Sequence, residues 1–205
     1  MWSPAAWTWD VFVADADDLC GRLARAAATQ NVNPEPLARA AIVAVVTAWE
    51  VYIKTLALAV VGYAIGEDAA ALGSREDVDK LVDPRYGGLN VPKFCDARTM
   101  LCVALGIDPR SDDDDPMATL SADDLDRVVQ LRHDIVHLRW DAQRRSDASL
   151  LPLSLQQVKR DIATLKSFVE DLEDGVRAVM TPKLGYVPPE RAATPPHEEM
   201  TDHDH

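Results

Sequence analysis

Cysteine is scarce in this chain and follows no pattern. Cys20, Cys95 and Cys102 are odd in number and form no CxxC pair, so no disulfide framework is expected and a reducing interior suits the chain. The simplest role for each is that of a small buried hydrophobe. Basic residues are also few: 21 lysines and arginines against 34 acids leave a net charge of −13. No Lys/Arg-dense run stands out, so the composition does not by itself draw in nucleic-acid phosphates. Any nucleic-acid chemistry has to rest on a local site or on a partner. The opening MWSPAAWTWDVF lacks a basic segment followed by an apolar run, and no secretory signal is expected. An uninterrupted membrane span is missing as well. Residues 40–63, AAIVAVVTAWEVYIKTLALAVVGY, are long enough to cross a bilayer, but Glu50 and Lys54 fall in the middle, where each charge is costly in lipid. Four residues apart with the glutamate first, they suit a helical ion pair. The segment is expected to be the buried central helix of a soluble, cytoplasmic protein with no membrane contact.

What remains is helical almost throughout, in a chain of 205 residues with 47% hydrophobic and 27% charged residues, enough for one domain with a sizeable core. No stretch has the alternation of a strand, and no internal repeat is visible. Asp10 to Ala28 repeats apolar residues at Val11, Leu19, Leu23 and Ala27, with acids early and arginines late, which complements the helix dipole. Asn33 before Pro34 marks the next start, and the apolar run follows to about Gly62. A short helix is predicted over Arg75–Val82, then a turn-rich loop from Asp83 to Pro92, then a helix from Lys93 to Leu105 stopped by Gly106. The loop Ile107–Pro116 carries four consecutive aspartates. It lacks the spaced ligands, glycine and terminal glutamate of a calcium loop, so a solvated acidic turn is expected. Ser121, with Asp124 three residues on, caps a helix reaching Trp140. A last long helix spans Ser154 to about Met180, with Leu155, Val158, Ile162, Leu165, Phe168 and Leu172 at helical spacing. The expected fold is an all-α, up-and-down antiparallel bundle with short extra helices over residues 1–182. Residues 183–205, rich in proline and charge, are expected to be a disordered tail.

Within the predicted helix at 121–140, the stretch LRHDIVHLRW places Arg132, His133, Asp134 and His137 within six residues. At about 100° per residue, Val128, Leu131, Ile135 and Leu138 share one stripe, the expected core face. Asp126, Gln130, His133 and His137 fall opposite, with Asp134 at the margin, so the histidines are displayed rather than buried. Of five histidines, three lie from His197 onward, which leaves His133 and His137 as the pair in the helical part. Arg132 lies about 140° from His137 on a straight helix. The two meet only if the arginine curls round, the helix is irregular, or a second copy supplies one of them. Three readings follow: a plain exposed surface, a metal site, or an acid–base site. The metal reading uses His133 and His137 as ligands four apart, with Asp134 in the place of the glutamate of H-E-x-x-H. Aspartate is a methylene shorter, no third ligand follows at a helical interval, and Arg132 repels a cation.

The third reading carries a resemblance. Arg132-His133-Asp134-Ile135-Val136-His137 resembles the R-x4-H signature of the HEPN superfamily, in an all-helical chain with one more long helix after it. Pro36 to Leu56, PLARAAIVAVVTAWEVYIKTL, also looks like the first long helix of the RiboL-PSP-HEPN branch, where a small-and-aliphatic run ends in a glutamate with an aromatic after it, here Glu50 and Tyr52. The resemblance implies a homodimeric, metal-independent endoribonuclease, often a toxin or antiviral effector, with two R-x4-H motifs facing each other at the dimer interface. It implies no cofactor. RNA brings its own nucleophile, the 2′-hydroxyl, so His137 would move a proton, Arg132 would stabilise charge, and His133 would be the second acid or base. Asp134 would hold a ring nitrogen, and Glu50 would support the arginine or pair with Lys54. A regulatory protein or antitoxin is a further expected partner. Two positions depart from the family pattern: His133 stands where asparagine is frequent, and Arg139 where members paired with a nucleotidyltransferase-type antitoxin carry tyrosine. HEPN-like bundles also serve as non-catalytic dimerisation or nucleotide- and RNA-binding modules, which is the alternative function.

Overall fold

In the computed structural model, described residues are 4–29, 33–63, 75–82, 92–110, 115–137 and 153–184. Among them every regular element is a helix: α1 (Pro4–Ala27), α2 (Glu35–Tyr63), α3 (Arg75–Val82), α4 (Phe94–Ala104), α5 (Ala122–His137) and α6 (Leu155–Leu184). The protein is an all-α helical bundle. Helix α2 is its centre, touching each of the other five helices. Its apolar run explains why: Ile42, Val45, Val46, Trp49, Tyr52, Ile53 and Leu56 are all fully buried. The helix is long and apolar enough to cross a membrane, yet this surface is spent on packing against neighbouring helices, and Glu50 and Lys54 form the expected pair at 2.7 Å. Helix α1 lies beside α2 along much of its length, and the connection between them spans only residues 28–34. So short a connection forces the two to run antiparallel.

The ends of the helices follow from side chains and turns. Asn33 Oδ1 accepts the Glu35 backbone N–H at the start of α2, and Ser154 Oγ accepts that of Gln157 at the start of α6. Helix α4 closes in a Schellman turn: the Gly106 N–H donates to Val103 and the Ile107 N–H to Cys102, with Gly106 at a positive φ of 66°, where a glycine escapes the Cβ clash. Arg98 then ties down the loop that follows, donating to Asp115 at 2.6 Å and to the Pro109 carbonyl at 2.7 Å. That loop presses Pro116 on α6 so closely that a Cβ on Gly175 would stand 2.2 Å from the Pro116 oxygen.

The aromatic centre of the core joins four helices, α1, α2, α4 and α6. Trp49 packs edge-on against Phe168 at 5.4 Å, Phe168 against Phe94 at 6.3 Å, and Tyr52 against both Trp49 and Trp9. The Trp49 indole donates to the Pro92 carbonyl at 2.9 Å, which fixes the approach to α4.

Three expectations are corrected. In α1 the buried face is Trp9, Val13, Ala16, Cys20 and Leu23, while Val11 is 48% exposed and Ala27 is exposed. Leu19, Leu23 and Ala27 step by four, which drifts off a stripe of period 3.6; steps alternating four and three from Trp9 stay on it. Cys95 is exposed, whereas Cys20 and Cys102 are buried as expected. Helix α6 passes through Pro182 to Leu184, so Lys183 and Leu184 belong to the helix. A proline this close to the end forfeits little of the helical ladder. The loop at Asp83–Val91, the four aspartates, the end of the 121–140 segment and the tail from 185 lie outside the described residues.

Candidate functional site

Helix α5 begins directly after Ser121 with Asp123 and Asp124 in its first turn, where negative charge meets the positive end of the helix dipole. Its N-terminal half is anchored by Leu125, Val128 and Val129, all buried. Burial then thins. Leu131 and Ile135 pack only partly against the core, and Leu138 lies outside the described residues. Burial therefore falls along α5 towards the motif, and Gln130, His133, Asp134, Val136 and His137 are exposed.

On those turns the structure brings the two histidines together. His133 and His137 are both exposed, with ring centroids 4.2 Å apart and planes inclined at 40°. This is the geometry of an i, i+4 pair on one helix face. Neither imidazole has a hydrogen-bond partner among the described residues. Arg132 is half-buried, and its Nε is enclosed without a hydrogen-bond partner. No contact joins its guanidinium to either histidine within one chain, as the angular separation predicts.

Asp134 does not hold an imidazole here. Its Oδ1 accepts from Gln130 Nε2 at 2.9 Å, one turn back along α5. Glu50 does not reach the arginine either: it pairs with Lys54. Asp126, grouped by helical spacing with the displayed stripe, is half-buried and accepts the Phe94 N–H at 2.8 Å. It caps the start of α4, satisfying a donor that the helix itself leaves open. The displayed part of the stripe is therefore Gln130, His133 and His137.

Two donors for one metal ion are available from the histidines, and no group of three His, Cys, Asp or Glu side chains among the described residues is placed to share an ion. One residue beside the stripe escaped the sequence reading. Lys93, at the N-terminal boundary of α4, extends its Nζ to 3.4 Å from Gln130 Oε1. Thirty-seven residues separate the two, and no local pattern links them. In the core, Tyr52 of α2 donates to Glu173 of α6 across 3.4 Å. Burial, and secondarily the neighbouring carboxylate, hold the Tyr52 phenol well above its ordinary value of 10.0.

Comparisons with protein families, characterised proteins and solved structures return no match. The reading of this face rests on its own chemistry.

Proposed function

We propose that the protein is a metal-independent endoribonuclease whose site is completed by a second copy of the chain. The observation that carries this reading is the pair of exposed imidazoles at 4.2 Å, next in sequence to an arginine whose Nε lacks a partner. Imidazole is the side chain that both takes and gives protons near neutral pH. Guanidinium stays charged and matches the oxygens of a five-coordinate phosphorus. In the reaction, the 2′-oxygen bonds to the adjacent phosphorus while the bond to the 5′-oxygen breaks. One imidazole accepts the 2′-hydroxyl proton and another donates a proton to the leaving oxygen. The products end in a 2′,3′-cyclic phosphate and a 5′-hydroxyl.

Geometry favours a composite site. Attacking and leaving oxygens lie roughly in line on opposite sides of phosphorus, and two neighbouring rings on one helix face cannot bracket it. A second copy facing the first would place one His137 on each side and bring an Arg132 to both. The role assigned to Asp134 is then to position Gln130, and Glu50 stays with Lys54. In this reading the protein works as a cytoplasmic homodimer on RNA, as a toxin or antiviral effector held by an antitoxin or other regulatory protein.

The test is cleavage of single-stranded RNA by the full chain in excess EDTA, with analysis of product ends and light scattering. Cyclic-phosphate ends from a dimer are expected, with DNA uncut because it lacks the 2′-hydroxyl. Equal cleavage of DNA, or loss of activity on chelation with recovery on zinc, overturns the mechanism. A second reading, a non-catalytic nucleotide- or RNA-binding module, is favoured by the absence, among the described residues, of any hydrogen bond orienting the imidazoles. It predicts a dimer that binds RNA and leaves it intact.

A further inference from the structure

Lys93 is the cation that the acidic composition hides. Lys54, Lys80 and Lys166 each rest on a carboxylate, at 2.7, 3.0 and 2.7 Å. Lys93 does not among the described residues: its ammonium is exposed and its contact there is the neutral amide oxygen of Gln130. The contact aims it along the displayed face of α5, because Gln130 in turn donates to Asp134, beside His133. Two carboxylates near the base of this lysine accept backbone donors, Asp126 from the Phe94 N–H and Asp96 from the Lys93 N–H. The backbone N–H of Lys93 is itself held by Asp96 at 3.2 Å, so the stem of the side chain starts from a fixed point. A positive charge is thus held in place on a face where chemistry on a polyanion is proposed, in a chain of net charge −13.

We propose that Lys93 is a positioning residue that binds a backbone phosphate of single-stranded RNA, an inference that rests on the ribonuclease reading. From Gln130 to His137 is seven residues, about 10 Å along a helix rising 1.5 Å per residue. That exceeds the spacing of neighbouring phosphates on one strand, so the two ends of the face meet different phosphates. Lys93 therefore grips a phosphate other than the one that is cut, and oligonucleotides too short to reach both positions lose its contribution.

The experiment uses the full chain and its Lys93→Ala and Lys93→Arg variants. Cleavage of a 12-nucleotide RNA gives kcat and KM, and binding of the same oligonucleotide carrying 2′-O-methyl groups, which cannot be cut, gives Kd across a salt series. Lys93→Ala is expected to raise KM and Kd severalfold with kcat within about twofold. It should also flatten the plot of log K against log salt by about 0.7, the contribution of one phosphate contact on a single strand. Lys93→Arg should keep the parental slope, which a merely structural role would not require. Unchanged Kd and slope in Lys93→Ala overturn the proposal, and so does a parent that does not bind the oligonucleotide. A parent that binds through Lys93 but does not cleave RNA sinks the ribonuclease reading alone.

Discussion

His137→Ala separates the site from the scaffold. The ring is exposed at the last residue of α5, carries no hydrogen bond among the described residues, and touches another ring only at His133. Removing it opens no cavity and orphans no buried group, so stability should change by no more than about 0.5 kcal/mol. For a chain of this size that is a shift in Tm of about 2 °C or less. Loss of a positioned acid–base group lowers rate by about 100-fold or more, equivalent to about 2.7 kcal/mol of barrier. Leu125→Ala is the mirror image. Leu125 is 0% exposed under the same helix, and its truncation should cost about 2–5 kcal/mol and several degrees or more of Tm, with activity lost only through unfolding. Ile135→Ala should fall below Leu125→Ala, because Ile135 is only half-buried. The assay is thermal melting beside RNA cleavage in EDTA on the same preparations. A His137→Ala protein that melts and cleaves like the parent refutes the assignment, and RHDIVH is then a helix surface with two histidines.

Three further outcomes follow from the packing. Asp126→Ala should lower stability by about 0.5–2 kcal/mol through loss of the α4 cap, with the proposed dimer unaffected; a dimeric parent whose variant dissociates at unchanged Tm would return Asp126 to the interface. Gly175→Ala places a methyl 2.2 Å from the Pro116 oxygen, so backbone must shift, at a cost of about 1–3 kcal/mol or more; a melting temperature equal to the parent's would mean that the loop yields freely. Alkaline stability should depend on Tyr52. Its phenol in the fold holds its proton well above 10.0, whereas the unfolded phenol loses it near that pH. The folded state therefore binds more protons, and stability present below about pH 10 falls as pH rises further. Tyr52→Phe should remove this part of the decline in a pH series of denaturant melts, and an identical slope in the variant would refute it.

Much of the fold was legible because helices announce themselves locally. The apolar spacing of α2 and α6, Asn33, Ser121 and Ser154 before α2, α5 and α6, and Gly106 beyond α4 act within a few residues, and those helix ends lie within a few residues of where these signals put them, whereas α1 starts at Pro4 and not at Asp10. The pairing of His133 with His137, and of Glu50 with Lys54, is also local, since residues four apart share a helix face. What tertiary structure decided is everything that needs a second element. Val11 and Val13 are chemically alike, and the packing of α1 against α2 and α6 selects which is buried. Asp126 reads as a displayed carboxylate until Phe94, thirty-two residues earlier, presents its N–H. Packing encloses the Arg132 Nε, which spacing along α5 alone does not foretell. Lys93 has no meaning on its own turn of chain and acquires one only beside Gln130. Periodicity is a property of one helix, whereas the partner of a side chain is a property of the bundle.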